Sequence, residues 1–176
     1  MTLSLPELDA LPISEAAPLL AACCGAPAWI RGMLARRPFG TRQALFDAAE
    51  HVAATLSPDD WLAAFAHHPR IGEQQAAVAV SDTARGWSAG EQRDALASGA
   101  TLAEAVREAQ RHYETRFGYI FIICASGRSA AEILAALRLR LRNTPDAELL
   151  VAAGEQRRIT QLRLEKLVPL HMESPA

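Results

Sequence analysis

The chain has few cysteines, and their spacing does not suit cross-linking. Its 176 residues include three cysteines, with Cys23 and Cys24 adjacent and Cys124 far away. A secreted disulfide framework needs several pairs, so we expect a reducing compartment and a cytoplasmic location. The first ten residues carry acids and prolines instead of a basic stretch followed by an apolar run, which does not fit a signal peptide.

Long apolar runs and a strong net charge are also missing. No stretch approaches the roughly 20 apolar residues that would cross a bilayer, so we expect no membrane partner. The formal net charge is -2 and the isoelectric point is about 6.2, which provides no general attraction for nucleic acid. The basic residues from Arg138 to Lys166 are interspersed with acids, a pattern typical of a solvated helical face.

Recognisable cofactor motifs are absent from the sequence. There is no glycine-rich phosphate loop, no histidine pair at i, i+4 spacing and no cysteine pair at zinc-ligand spacing. Lys166 is the only lysine, so a Schiff base would have to form on the last predicted helix. We therefore expect neither a metal nor an organic cofactor.

The residues that are present favour one helical domain. Half of them are apolar and 22% are charged, as in ordinary globular proteins, and a chain of this length is expected to form one core over residues 1–176. Helix starts are predicted where a capping residue precedes a proline or an acid, as in Ser57-Pro58-Asp59-Asp60, Thr101 to Glu104 and Thr144-Pro145.

Further helices are predicted between the glycine and proline breaks, at about residues 14–24, 27–36, 42–56, 88–97 and 130–142. The resulting prediction is an all-α, single-domain bundle of about eight helices. One short segment, near residues 119–125, disagrees with this pattern. It is rich in β-branched and aromatic residues, and no second run of this kind exists to pair with it. The pattern fits a buried extended segment and a continued helix equally well.

His68 is the best catalytic candidate among the five histidines. Pro69 disfavours helical angles in the residue before it, so we expect His68 to leave its helix in an extended conformation with a fixed ring direction. Imidazole titrates near neutral pH and suits a general acid or base. On local sequence alone, a surface histidine that ends a helix is the somewhat commoner case.

A second candidate lies in the run from Ser88 to Gln92, which also contains Ala89, Gly90 and Glu91. A hydroxyl, a carboxylate and an amide at a predicted helix start could bind a polar heterocycle or an anion. Taken alone, however, Ser88 and Glu91 fit a capping box better. Arg163 is flanked by Leu162 and Leu164, so it either points inward to a polar partner or lies along the surface.

These motifs together resemble the family of 2-oxo-4-hydroxy-4-carboxy-5-ureidoimidazoline (OHCU) decarboxylases, which act in urate breakdown. No single motif is specific, but their joint order across nearly the whole chain is. The resemblance rests on Trp29, Met33, Arg37-Pro38-Phe39, His68-Pro69, Ile71-Gly72, Ser88, Glu91-Gln92, Phe117-Gly118, Phe121 to Ala125 and Leu162-Arg163-Leu164.

The resemblance implies an all-helical, cofactor-free carboxy-lyase that converts OHCU to (S)-allantoin with release of CO2. It implies catalytic roles for His68, Glu91 and Arg163, and homodimerisation as in many family members. It also implies a substrate pocket formed by Pro69, Ser88, Ala89, Gly90, Glu91, Gln92, Phe121, Ile122, Ile123, Cys124, Ala125 and Arg163. A non-catalytic helical binding module and a helix-turn-helix regulator are the alternatives, and the acids among the C-terminal arginines argue against the regulator.

Overall fold

The fold is known from a computed structural model that describes residues 2–73, 79–92 and 99–170. These residues contain nine helices and no β-strand, which confirms the predicted all-α class. The helices are α1 (Leu5–Ala10), α2 (Ile13–Cys23), α3 (Pro27–Leu34), α4 (Arg42–Ala53), α5 (Pro58–Phe65), α6 (Asp82–Glu91), α7 (Ala100–Phe117), α8 (Ala130–Arg140) and α9 (Pro145–Leu167). Within this part of the chain, no helix has the length and apolar composition needed to cross a membrane.

Capping signals correctly located the starts of α5 and α9. Before α5, the Asp60 amide donates to Ser57 Oγ at 3.2 Å, and the Ser57 amide donates to Asp60 Oδ2 at 3.0 Å. Before α9, the Ala147 amide donates to Thr144 Oγ1 at 3.4 Å. In both places the proline occupies the first helical position, where its missing N–H has no cost.

Two other capping predictions were wrong. Helix α7 begins at Ala100 with Gly99 as its N-cap, so Thr101 lies inside the first turn. Helix α6 is capped by Ser81, whose hydroxyl accepts from the Ala84 amide, so Ser88 lies in its last turn instead of its first. Residues 93–97 of the helix predicted at 88–97 lie outside the described residues.

Contacts divide the described chain into two compact units. The first contains the residues up to Ala64 and those from Arg157 onward. Its core is built from helix faces that present large apolar side chains, and its fully buried members include Leu8, Leu20, Trp29, Met33, Leu45, Leu164 and Leu167. The Trp29 indole donates to the Ala49 carbonyl at 3.3 Å, which satisfies the one polar atom of that ring.

The second unit runs from Phe65 to Gln156 and carries most of the predicted site. Helix α7 packs against α8, and between them lies a core of Ile71, Val106, Tyr113, Phe121, Ile123, Ala125, Ala130, Ile133, Leu134 and Leu137. The single domain predicted over residues 1–176 stays a prediction.

The segment near 119–125 is not a continuation of α7. The helix stops at Phe117 because Gly118 adopts a left-handed conformation, with φ of +80°, and its amide donates to the Glu114 carbonyl. Residues 120–125 then run through the core without helical or sheet hydrogen bonding. The extended alternative is therefore confirmed, and the partners of its backbone groups must come from side chains.

Candidate active site

His68 lies in a bend directly after α5. The helix ends at Phe65, and the His68 amide donates to the Phe65 carbonyl at 3.0 Å. The whole residue is only 8% exposed. A histidine that merely ends a helix at the surface would remain solvated. The burial of His68 therefore excludes this surface alternative, which the local sequence alone favoured. The chain turns at His68 and holds its ring within the protein, as a group with a fixed direction requires.

The loop after His68 is anchored by the side chain of Gln110 on α7. Gln110 is buried, and its amide accepts from the Ile71 N–H at 2.9 Å and donates to the Ile71 carbonyl at 3.0 Å. The side chain thus pairs with Ile71 as a neighbouring strand would. Arg70 adds an ion pair with Glu114, through its Nε at 2.7 Å and Nη2 at 2.8 Å.

The C-terminal end of α6 meets the same loop. The Gly72 amide donates to Gln92 Oε1 at 3.0 Å, so this interaction connects the His68 loop to the residue that follows α6. Ser88, Glu91 and Gln92 are all buried. The prediction that Ser88 lies at the positive, N-terminal end of a helix is wrong. Ser88 lies at the C-terminal end of α6, where the helix dipole favours cations. The capping-box alternative for Ser88 and Glu91 fails for the same reason.

A cavity of about 360 Å³ opens between the loop and α6, entirely within the second unit. This volume suits a small molecule. Four predicted substrate-binding residues line it, namely Pro69, Ser88, Ala89 and Gln92, together with Gly72, Glu73, Arg85 and Gly86. His68 and Glu91 each directly precede a lining residue, and Gly90 is exposed at the end of α6. The lining therefore includes a hydroxyl, an amide, a guanidinium and the Glu73 carboxylate.

Charged side chains hold the backbone of the predicted binding segment. The Cys124 amide donates to Glu155 Oε2 at 2.8 Å, and Arg128 Nε donates to the Cys124 carbonyl at 3.1 Å. Burial raises the pKa of the Cys124 thiol, and the negative charges of Glu155 and Glu91 raise it further.

The rest of the segment is buried in the second unit. Phe121, Ile123 and Ala125 belong to its apolar core, and Ile122 is also buried. The Ile122 carbonyl accepts from Arg140 Nη1 at 2.8 Å. Side chains therefore supply the partners that a neighbouring strand would otherwise provide.

Arg163 points inward, as one of its two alternatives predicted. It lies in the first unit, is 3% exposed, and its Nη1 donates to the Ala22 carbonyl at 3.0 Å. The wider prediction that Arg138 to Lys166 forms a solvated face is wrong at five polar positions. α8 and α9 each bury polar side chains as well as apolar ones, namely Arg140, Glu148, Gln156, Thr160 and Arg163.

Sequence reasoning missed Gln110, Arg140, Glu148 and Glu155. Each is a polar residue on a helix, and its residue type alone does not show whether the side chain is buried or exposed to solvent. The one available signal was the isolated β-branched run at 119–125, which needed backbone partners from outside itself. Among the described residues, no group of three or more potential ligands could hold a metal ion.

Fold and site together define an all-α protein with a small-molecule cavity beside a buried histidine, a buried carboxylate and a buried amide. The OHCU decarboxylase family profile matches residues 9–165. The chain belongs to this family.

Relatives of known name agree with the family match. The uric acid degradation bifunctional protein TTL of Arabidopsis thaliana is 41% identical over 148 residues, which are 82% of this chain and 45% of that protein. The 2-oxo-4-hydroxy-4-carboxy-5-ureidoimidazoline decarboxylase of Amia calva is 36% identical over 97 residues, covering 52% of this chain and 55% of that protein. The chain therefore spans about half the length of these relatives.

A solved structure extends the likeness to three dimensions. It is a crystal structure of OHCU decarboxylase in the presence of (S)-allantoin, with a TM-score of 0.72 and 36% sequence identity. The match covers 83% of this chain and 94% of that one. The likeness therefore extends over nearly all of that chain.

Proposed function

We propose that the protein decarboxylates OHCU to (S)-allantoin with release of CO2, without a cofactor. The observation that carries this proposal is the family match over residues 9–165 together with the cavity formed by Pro69, Ser88, Ala89 and Gln92. The likeness to a decarboxylase solved in the presence of (S)-allantoin supports the product. The match also runs through both compact units, which supports one functional domain.

The substrate itself can hold the electrons of the broken bond. Its departing carboxylate sits on a carbon next to a ring C=N, so when the carbon–carbon bond breaks, the electron pair forms a carbon–carbon double bond, the ring nitrogen takes up a proton, and an enolic intermediate and CO2 are left. The substrate hydroxyl then loses a proton and the ureido-bearing carbon gains one, so the whole reaction consumes one proton. The protein needs to orient the carboxylate, stabilise the intermediate and deliver the proton to one face.

We assign the proton transfer to His68, which is buried and follows directly after α5. Glu91 fixes the ring through its N–H groups, and Ser88 and Gln92 contact the ureido or imidazoline atoms. The segment Phe121–Ala125 provides backbone contacts, and the family resemblance also assigns a substrate-binding role to Arg163, which lies in the first unit. A buried, hydrogen-bonded environment strengthens such contacts because water does not compete for them.

We also propose a homodimer and a cytoplasmic location. The first follows from the family resemblance, and the second from the cysteine pattern, since the described cysteines are thiols and not disulfides. Analytical ultracentrifugation of the purified protein tests the proposed dimer. The expected molecular mass in solution is twice the chain mass of 19.0 kDa. A species of single-chain mass at micromolar concentration would contradict it.

Measurement of CO2 release tests the activity. Urate oxidase and the ring hydrolase would generate the substrate in place, and the rate of CO2 release would be followed with and without this protein. The proposal predicts a rate that rises in proportion to the protein concentration. A non-catalytic binding module predicts that the rate stays at its spontaneous value, and that result would contradict the proposal.

A further inference from the structure

Glu148, in the first turn of α9, is a fully buried carboxylate at the centre of a charged network. Its Oε1 accepts from Tyr113 Oη at 2.5 Å and from Arg140 Nε at 2.7 Å, and its Oε2 accepts from Asn143 Nδ2 at 2.7 Å. It has no exposed surface, and Arg140 is 7% exposed. Burying a charge pair removes both ions from water, so such a pair often adds little stability compared with apolar residues. Its presence calls for a role other than stability.

Arg140 reaches the predicted binding segment from this network. Its Nη1 donates to the Ile122 carbonyl at 2.8 Å, and its guanidinium lies over the Phe121 ring at 4.4 Å from the centroid. One edge of the planar guanidinium therefore faces Glu148 while another end contacts the segment. A planar group with five donors can make both contacts in one orientation, whereas a lysine ammonium is a single point of charge.

The position of this contact matters because residues 120–125 have no sheet partner. In a strand, neighbouring amides and carbonyls would fix the register of Ile122. Here that carbonyl depends on Arg140, while Glu155 and Arg128 hold the peptide groups of Cys124. Small displacements of groups that bind a reacting molecule can cost about a hundredfold in rate.

We propose that Arg140, oriented by Glu148, is a positioning residue that fixes the segment Phe121–Ala125 for substrate binding. Arg140 acts through the Ile122 carbonyl and the Phe121 ring and has no role in proton transfer. The proposal rests on the proposed decarboxylase function for its effect on rate. The effect of Arg140 on the order of the segment Phe121–Ala125 does not depend on that function and can be measured separately by hydrogen–deuterium exchange.

Two variants test the proposal. Arg140→Lys keeps the positive charge beside Glu148 but loses the planar fork. The double variant R140M/E148Q removes both charges, while the amide oxygen introduced at position 148 would still accept from Tyr113. Arg138→Met is the matched control, because Arg138 lies on the same helix with its side chain exposed. Each variant is compared with the wild-type protein by thermal unfolding, by kcat and KM, and by hydrogen–deuterium exchange.

We expect both Arg140 variants to lose about tenfold or more in kcat/KM at temperatures where they are folded. Exchange in a peptide covering residues 119–126 is expected to quicken by a similar factor, while peptides from α7 keep wild-type rates. Arg138→Met should match the wild type in every measurement. If the double variant does not fold, Arg140→Lys alone decides the result.

Three outcomes would overturn the proposal. The first is a folded Arg140→Lys protein with kcat and KM within about twofold of wild type. The second is unchanged exchange in the 119–126 peptide. The third is faster exchange throughout the second unit, with activity lost only in proportion to unfolding, because that result means general stabilisation. An inactive wild-type protein would instead refute the proposed function, and the exchange data would still decide the positioning role.

Discussion

Ser88 lies one helical turn before Glu91 at the C-terminal end of α6, and both side chains are buried on the same side of the helix. The start of that helix is capped separately by Ser81, which accepts from the Ala84 amide at 3.2 Å. Ser88 and Glu91 are therefore not needed to begin the helix. Ser88 lines the small-molecule cavity, and Glu91 directly precedes Gln92, which lines it as well.

Glu91→Gln is predicted to lower kcat/KM by about tenfold or more, with little change in thermal stability, because the amide replaces an acceptor oxygen with a donor. Ser129→Ala is the matched control. Ser129 is a true N-cap, whose hydroxyl accepts from the Glu132 amide at 3.3 Å. Its loss should cost about 1 kcal/mol in the free energy of unfolding and leave kinetics intact. Normal kinetics in Glu91→Gln would remove the binding role.

His68→Asn is predicted to reduce turnover by on the order of 10²-fold or more, because asparagine cannot exchange a proton near neutral pH. His67→Asn is the control, since His67 is a neighbouring, half-buried histidine without an assigned role. Steady-state kinetics and thermal unfolding of both variants check the prediction. Turnover close to wild type in His68→Asn would exclude His68 as the acid or base.

Gln110→Leu is predicted to lower the free energy of unfolding by about 1–3 kcal/mol, because the Ile71 N–H and carbonyl lose their partners. Turnover should fall too, since Ile71 lies three residues after His68. Gln110→Glu keeps an acceptor for the Ile71 N–H but loses the donor to the Ile71 carbonyl and buries a carboxylate, so it should also be less stable than the wild type in denaturant unfolding and slower in turnover. Equal stability of all three proteins would show that Gln110 does not anchor the loop.

Alkaline pH is predicted to destabilise the protein partly through Cys24. Burial raises the pKa of its thiol from 9.0 to about 11. The folded state then binds the proton more tightly than the unfolded state, so this contribution is complete below about pH 9 and is lost as the pH rises toward 11. The loss should reach about 2 kcal/mol near the upper end of that range.

Urea unfolding at a series of pH values checks this contribution. The free energy of unfolding should decline more steeply above pH 9 for the wild type than for Cys24→Ala, which has no thiol to ionise. Tyr113, whose pKa is also raised by burial and by its bond to Glu148, remains in both proteins and cancels from the comparison. Parallel curves would contradict the assignment to Cys24.

Much of the fold could be predicted because its signals are local. The proline and acids of α5 lie within four residues of each other, and they specify a helix start without reference to the rest of the chain. The capping prediction at Thr101 failed because a four-residue pattern with only two specified residues also occurs by chance inside helices. Glu104 instead forms an ion pair with Arg107 at 2.6 Å, one turn along α7.

The site could be predicted only in part, for a physical reason. Pro69 acts on the backbone of the residue directly before it, so the exit of His68 from its helix could be predicted from neighbouring residues. The hydrogen bonds from Arg140 to Ile122 and between Gln110 and Ile71 join residues that are far apart in sequence. No local sequence motif indicates such a pair. Such contacts depend on how helices pack, and a buried arginine has the same sequence signature as a solvated one.

The optical activity of the allantoin formed in the coupled urate assay is the sharpest test of enzymatic decarboxylation. Spontaneous decay of the substrate gives racemic allantoin, whereas proton delivery to one face of the ureido-bearing carbon gives one enantiomer. We expect the protein to accelerate the appearance of (S)-allantoin and the His68→Asn variant to do so far more slowly. Racemic product formed at the spontaneous rate in the presence of folded wild-type protein would contradict this expectation.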